Sequence, residues 1–318
     1  MNRIDVYFVV LPGMLLLDLA GAAEAFRIAG NHGGNFVLHF VGPQHEVGSS
    51  VGLGLNGLTP LPRQLPPNAL LVLSGLSDAA EASHVKEVRD TVNWLRAVWN
   101  HDGRCDLRLM TICSGATLAG AAGLLDGRRC TTHHTLINRL REVAPRALVE
   151  ENRVFVIDGA IASSAGITTG IDLALELIAR EAGPTTALEV ARTMVVWLRR
   201  DSAAPQLSPF LQYRNHLHPA VHRVQDAIAA DPARDWSQDE LADVACVSAR
   251  HLARLFKTHT GLGPVDFRQK MQLAQIEPLL RRRDLSLERV AEAGGFGSVR
   301  DMRRVWQKQR GESLHRAP

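Results

Sequence analysis

The apolar positions of the first two hundred residues follow two alternating patterns. Short runs rich in Val, Ile and Leu, several of them apolar on both faces, predict buried strands at 4–11, 35–41, 69–73, 107–112, 153–157 and 160–163. Longer stretches with an apolar residue every three or four positions predict helices at 19–29, 85–100, 116–125, 135–143 and 171–181. Strands that alternate with helices predict an α/β fold with a doubly wound, mostly parallel sheet.

The pattern changes near residue 200. The stretch 201–209 is polar and contains Pro205 and Pro209, which is typical of a linker. From about His218 onward the strand pattern is absent, and the apolar positions follow helical spacing. We therefore predict a first domain at 1–198, a linker at 199–217 and an all-α domain at 218–318.

The all-α domain contains signals for a helix-turn-helix unit. Ser237 and Glu240 form an S-x-x-E capping box ahead of an apolar run, which predicts a short helix ending near residue 247. Ser248 can cap a second helix, and Gly261 can end it in the left-handed conformation. Two short helices with a tight turn and a basic outer face predict that the second helix enters the major groove of DNA.

A similar unit is predicted about fifty residues further along the chain. Ser286 starts a short helix, a glycine-rich turn follows at 294–297, and Ser298 starts another amphipathic helix. A longer helix at about 263–283 would join the two units, with Pro278 kinking or shortening it. A repeated helix-turn-helix is much stronger evidence for double-stranded DNA as the partner than one copy.

The outer faces of the two second helices carry the candidate DNA contacts. These polar and basic residues are Ser248, Arg250, His251, Arg254 and Lys257 in the first, and Ser298, Arg300, Arg303, Arg304 and Lys308 in the second. The second face is the more basic, with five Lys or Arg residues among thirteen at 298–310. We expect the first helix to read sequence and the second chiefly to contact phosphate.

Net charge and composition narrow the function classes. The formal net charge is +3, but residues 215–318 hold 17 basic and 13 acidic residues, so the basic surplus lies in the last third. No apolar run approaches the roughly 20 residues of a membrane span, and no secretory signal is evident. The scattered cysteines lack the spacing of a zinc site. We expect a cytoplasmic protein without a membrane contact, metal or cofactor.

One cysteine lies where a strand is followed by a small-residue turn and a helix. In the stretch 107–116, Cys113 and Ser114 take the position of a nucleophile elbow, which would expose the thiol at a helix N-terminus and favour its thiolate. Asp18 after the first strand, His133 and the backbone N–H of Gly75 are the candidate partners. A strand-end cysteine without a proven base is more often structural, so both readings stay open.

The segment 236–311 resembles the AraC/XylS-type DNA-binding domain. The resemblance rests on Ser-Ala-Arg-His-Leu-Ala-Arg-Leu-Phe at 248–256, Thr-Gly-Leu-Gly-Pro at 260–264, Val-Ala at 290–291 and Gly-Gly-Phe-Gly-Ser at 294–298. Membership of that family implies two recognition helices that read successive major grooves about 34 Å apart. RNA polymerase is then a candidate partner.

Residues 1–195 resemble the PfpI/class I glutamine amidotransferase-like superfamily. The matching stretches are 17–21, 112–116, 118–127, 131–133 and 158–166. The resemblance implies a flavodoxin-like fold, with Cys113 and Asp18 at the positions of nucleophile and carboxylate and His133 at that of a common histidine. Both domains together are similar to GlxA-type AraC-family regulators. This implies a ligand-sensing, dimerising first domain that binds a small metabolite, nitrogen-containing in this family, near Cys113.

Two other functions remain open. The first domain could be a cysteine-dependent hydrolase, hydratase or amidase for a small nitrogen compound, with the DNA-binding domain fused to it. It could also be a redox sensor in which oxidation of Cys113 is the signal. Because the residues show an elbow but no persuasive triad, we expect a regulator and not an enzyme.

Overall fold

A sheet of seven strands forms the centre of the first part of the chain. In chain order the strands are β1 (Ile4–Val9), β2 (Phe36–Gly42), β3 (Val47–Gly48), β4 (Gly54–Leu55), β5 (Thr59–Pro60), β6 (Leu70–Leu73), β7 (Arg108–Ile112), β8 (Arg129–Cys130), β9 (Leu148–Val149), β10 (Phe155–Asp158) and β11 (Ile161–Ser164). The large sheet has the order β10-β11-β7-β6-β1-β2-β5, while β3 with β4 and β8 with β9 form small pairs. All neighbours in the large sheet are parallel except β10 and β11. The predicted mostly parallel sheet is confirmed.

Two groups of helices accompany this sheet. They are α1 (Leu16–Asn31), α2 (Asp78–Ser83), α3 (Val85–Trp99), α4 (Gly115–Ala121), α5 (Ile137–Val143), α6 (Thr169–Ala182) and α7 (Pro184–Thr193). Helices α1, α6 and α7 contact one another, whereas α4 contacts α3 and α5. The sequence pattern did not predict α2 or α7. It also extended α4 to residue 125, but the chain turns at Gly123, whose φ is +79°.

The strand order contains a topological switch point between β1 and β6. From β1 the chain moves to β2 on one side, and from β6 it moves to β7 on the other. Ligand sites of open α/β sheets lie beyond the carboxyl ends of strands at such a point. The segments that leave β1, β6 and β7 here contain Asp18, Gly75 and Cys113.

The second part of the chain is all-α in its described residues, as predicted. Its helices are α8 (Pro219–Ala230), α9 (Gln238–Ala245), α10 (Ala249–Thr260), α11 (Pro264–Leu280), α12 (Leu287–Ala293) and α13 (Val299–Arg310). Helix α11 belongs to two separate cores: Phe267 packs with Phe256 of α10, while Ile276 packs with Val290 and Met302 of α12 and α13. It therefore joins the two helix pairs. Pro278 lies within its last turn.

The computed structural model describes residues 3–99, 107–196, 200, 202, 206, 212–214, 216–280, 282, 284–311 and 313–314. The chain divides into two compact units, Met1–Gln206 and Leu207–Pro318. Most of the linker predicted at 199–217 lies outside the described residues, as do the predicted helix ends at 100 and 283.

Candidate effector site and nucleic-acid interface

Cys113 lies at a sharp turn between β7 and α4. Its φ is 54°, a left-handed conformation that is strained for a residue with a side chain, and its N–H donates to the Ser164 carbonyl at 3.1 Å. Helix α4 can approach the sheet because Gly115 has no side chain: a Cβ there would lie 2.1 Å from the Leu73 carbonyl oxygen. The elbow predicted from the sequence is present. Its thiol is buried, however, and not exposed as we expected.

Asp18 is buried in the first turns of α1 and is held by two backbone groups. Its Oδ2 accepts from the N–H of Gly75 at 3.1 Å, and its Oδ1 accepts from the N–H of Ile167 at 2.9 Å. Burial raises the pKa of the Asp18 carboxyl to about 6, although both hydrogen bonds act to lower it. Asp18 thus joins the segments after β1, β6 and β11. The N–H of Gly75, expected near the cysteine, is used by this carboxylate.

The same environment keeps the cysteine neutral. Burial, and secondly the charge of Asp18, raise the pKa of the Cys113 thiol to about 12, against a smaller opposing effect of the Ser114 backbone. A nucleophilic cysteine needs its thiolate, and this environment disfavours the thiolate at neutral pH. The expectation that the helix N-terminus would favour a thiolate is therefore wrong, because desolvation outweighs it.

Two glycines form the walls around this thiol. A Cβ at Gly75 would lie 2.9 Å from the Cys113 Cβ and 2.7 Å from Asp18 Oδ2. A Cβ at Gly166, whose φ is +114°, would lie 2.6 Å from the Cys113 Cβ and 2.9 Å from its Sγ. The next residue, Ile167, has a φ of 44° and directs its N–H to Asp18. Gly166 and Ile167 were not among the predicted site residues, because nothing local to them indicates their contacts with Cys113 and Asp18.

The remaining predicted pocket residues lie close by but have other partners. Ser114 Oγ accepts from the N–H of Leu76 at 2.7 Å and donates to its carbonyl at 3.0 Å, which fastens α4 to the segment after β6. The Nδ1 atom of His133 is 2.8 Å from Thr135 Oγ1. Within the described residues, no hydrogen bond joins the His133 ring to Cys113 or Asp18. Cys113, Asp18 and His133 therefore do not form a catalytic triad in the described part of the chain.

The end of the first unit is fastened to this region. Thr132 Oγ1 donates to the Cys113 carbonyl at 2.8 Å, and the Thr132 carbonyl accepts from Gln206 Nε2 at 2.8 Å. The N–H of Gln206 donates to Asn152 Oδ1 at 3.1 Å. Gln206 is 9% exposed, and it is the last residue of the first unit. It was not predicted as a site residue, because a single glutamine in a polar stretch carries no local signal.

A separate cavity of about 450 Å³ lies beside the edge strand β10. Its lining includes charged residues of both signs, Arg129, Glu150, Arg153, Glu176 and Arg180. None of its lining residues is one of the pocket residues predicted from the sequence. It is therefore a distinct alternative location for a small molecule.

The second unit contains two capped helix pairs. Before α9, Ser237 and Glu240 form the predicted capping box with hydrogen bonds in both directions. Cys246 then takes a left-handed conformation in the turn, Ser248 Oγ accepts from the N–H of His251, and Gly261 ends α10. The second pair repeats this arrangement with serines at 286 and 298 and a left-handed glycine at 311.

The predicted DNA contacts lie on the outer faces of α10 and α13. His251 is half-buried, and the exposed residues are Ser248, Arg250, Arg254, Lys257, Ser298, Arg300, Arg303, Arg304 and Lys308. Three of the basic groups in α13 are paired within the unit: Arg304 with Asp301 at 2.5 Å, Lys308 with Asp266 at 2.8 Å, and Arg310 with Glu277. In the part of the chain that the structure describes, Arg250, Arg254 and the two arginines at 300 and 303 have no carboxylate partner.

Comparisons with known proteins match two separate parts of the chain. A DJ-1/PfpI family model matches residues 65–180, and a helix-turn-helix domain model matches residues 241–317. The HTH-type transcriptional regulator CdhR of Pseudomonas aeruginosa is 31% identical over 299 residues, which are 92% of this chain and 85% of CdhR. The chain belongs to this family of AraC-type transcriptional regulators.

Other relatives support the same architecture. The HTH-type transcriptional regulator GlxA of Rhizobium meliloti is 33% identical over 195 residues, which are 61% of this chain and 60% of GlxA. A crystal structure of a ThiJ/PfpI family protein from Pseudomonas syringae has a TM-score of 0.54 at 22% identity, covering 77% of this chain and 91% of that one, and shows the fold alone.

The family assignment supports the regulator among the functions left open above. Since the relatives CdhR and GlxA are transcriptional regulators, this chain is a DNA-binding transcriptional regulator, as predicted. Among the described residues, no helix is long and apolar enough to cross a membrane.

Proposed function

We propose that the regulator responds to a small, nitrogen-containing effector that binds over Cys113 at the topological switch point. The observation that carries this proposal is the buried Asp18 carboxylate, whose described hydrogen-bond partners are two backbone N–H groups. A buried carboxylate without a cation is costly, so a ligand with a cationic or N–H group would be stabilised beside it. The exposed apolar side chains of Leu17 and Ile167, next to these groups, can contact the rest of the ligand.

Effector binding would alter how the second unit binds double-stranded DNA. Helices α10 and α13 each present two arginines without a carboxylate partner in the described structure, which suits contacts to phosphates and base edges. We propose that the two helices enter successive major grooves. We further propose that the regulator is a homodimer through its first unit, so that effector binding shifts the arrangement of its DNA-binding units. We also propose that the regulator contacts RNA polymerase when it is bound at a promoter.

Effector binding is tested by a thermal-shift screen of amino acids, betaines and small amines, followed by calorimetric titration of any compound that stabilises the protein. Asp18→Asn keeps the size of the side chain but removes its charge, and we expect it to weaken binding at least tenfold. Arg180→Ala, in the cavity beside β10, is the matched control and should leave binding unchanged. The site assignment is wrong if Arg180→Ala abolishes binding while Asp18→Asn does not.

DNA binding is tested with duplexes selected from a random pool by the full-length protein. We expect affinity to fall steeply with salt, because contacts between arginines and phosphates release counterions. An Arg254→Ala/Arg303→Ala double variant should lose most of this affinity. Retained affinity would contradict the proposed interface. Sedimentation of the full-length protein tests the homodimer, and a monomer at micromolar concentration would contradict it.

A further inference from the structure

Arg200 and Gln206 are both attached to the first unit by hydrogen bonds. At one end, the Arg200 N–H and Nε donate to the two oxygens of Asp172 at 3.0 and 2.9 Å, and its Nη2 donates to Thr168 Oγ1 at 2.8 Å. Asp172 is buried in α6. At the other end, Gln206 is nine-tenths buried and donates to Asn152 and Thr132. Each attachment holds a side chain that would otherwise gain conformational entropy.

Each attachment involves a residue that adjoins the Cys113 site. Thr168 follows Gly166 and Ile167, which contact Cys113 and Asp18. Thr132, which holds the Gln206 amide through its carbonyl, donates its own hydroxyl to the Cys113 carbonyl. Thr132 and the loop at 166–168 therefore each adjoin the cysteine site and also bind one of the two attached residues.

The Gln206 side chain is also incompletely satisfied. Its Oε1 atom is buried and has no hydrogen-bond partner among the described residues. A buried polar atom without a partner costs free energy, so this attachment is weaker than a fully satisfied one. An attachment of intermediate strength can be released by a modest displacement at the site, which a switch requires.

We propose that the attachments of Arg200 and Gln206 link occupancy of the Cys113 site to the DNA-binding unit. This inference rests on the proposed function. A ligand over Cys113 displaces the loop at 166–168 or the chain at Thr132, and the attachment on that side is loosened. Because the peptide chain continues from Gln206 into the second unit at Leu207, release of Gln206 changes the constraint on that unit.

Linkage makes this coupling measurable without knowing the effector. If the site influences DNA binding, then DNA binding must influence the site. The probe is dithiodipyridine, which labels accessible thiols, and the readout is its rate of reaction with Cys113 by peptide mass spectrometry. A Cys246→Gly background removes the exposed thiol in the turn before α10, where glycine suits the left-handed φ of 56°.

The rate is measured with and without a saturating duplex selected from the random pool. In the background protein we expect DNA to change the rate of Cys113 labelling at least threefold. Gln206→Ala should abolish this difference. Gln44→Ala removes an exposed amide that donates to Glu87 in the same unit and should preserve it. Trypsin cleavage after Arg200 should also be about tenfold faster in Gln206→Ala, as expected for the loss of hydrogen bonds to a buried amide.

The outcomes separate this inference from the proposed function. If the protein binds no duplex, the proposed DNA-binding function fails. If it binds DNA but Cys113 labelling is unaffected, or if Gln206→Ala keeps the full difference, the role of the two attachments is refuted while DNA binding stands. Melting temperatures of Gln206→Ala and Gln44→Ala within a few degrees of each other show that any loss is not global unfolding.

Discussion

The buried carboxylate of Asp18 predicts a specific dependence of stability on pH. Its folded-state pKa of about 6 lies above the ordinary value of 3.8, so the folded state binds the proton more tightly than the unfolded state. The stabilisation from this proton is therefore fully present below pH 3.8 and is lost as the pH rises through 6. The full shift corresponds to about 3 kcal/mol, of which about 2 to 3 kcal/mol falls between pH 4 and pH 7.

The perturbation that isolates this contribution is Asp18→Asn, which does not titrate. We expect the free energy of unfolding of the wild type, minus that of Asp18→Asn, to decrease by about 2 to 3 kcal/mol from pH 4 to pH 7. Other titrating groups cancel in this difference. Urea unfolding is followed by pulse labelling of the buried Cys113 and Cys130 with dithiodipyridine, since both thiols report on the first unit.

The control is Gln44→Ala, which removes an exposed amide that does not titrate, so its difference from the wild type should not show this decrease. A difference for Asp18→Asn that is flat, or that increases with pH, would refute the reasoning. It would mean that the two N–H groups stabilise the anion more than burial destabilises it. The proposed need for a cationic or N–H ligand group would then lose its physical basis.

Three further outcomes are expected. Gly166→Ala should destabilise the first unit by about 3 kcal/mol or more, since a Cβ would overlap the cysteine at a positive φ. Gly127→Ala, with a φ of +68° but open space, should cost only about 1 kcal/mol in urea unfolding. Cys113 should remain a thiol by mass spectrometry after mild peroxide treatment, because its pKa of about 12 leaves little thiolate; its rapid oxidation would revive the redox-sensor hypothesis. Arg254→Ala should change base preference in the selected duplexes, whereas Arg303→Ala should mainly reduce the slope of log affinity against log salt by about 1; the reverse result would contradict the assigned division between the two helices.

Local signals in the sequence predicted much of the second unit. Capping depends on residues three positions apart, so Ser237 with Glu240 identified the start of α9. The left-handed end of α10 followed similarly from Gly261. Helix α11 was harder, because its buried residues lie on different sides along its length. Met271 and Ala274 share a helical spacing with Phe267 but are only partly buried, whereas Gln272 is buried and donates to the Gly294 carbonyl.

The site of the first unit was predictable only in part. The turn at Cys113 follows from a buried strand and small residues, which are adjacent in sequence. The hydrogen bond from Ile167 to Asp18 joins residues 149 positions apart, and no local pattern predicts it. The protonation state was also beyond the sequence. A helix N-terminus lowers the pKa of a thiol, but its burial beside a carboxylate raises it by more, and burial is known only from the fold.

The position of α11 in two cores sets a geometric limit on the DNA that the regulator can recognise. Seventeen residues at about 1.5 Å each make a rod of roughly 25 Å, clamped at Phe267 against α10 and at Ile276 against α12 and α13. The separation and the angular offset of α10 and α13 are thus fixed by one stiff spacer. Adding a single residue to its middle would rotate one end by about 100° relative to the other. The two halves of an operator should therefore tolerate base changes far better than an inserted base pair.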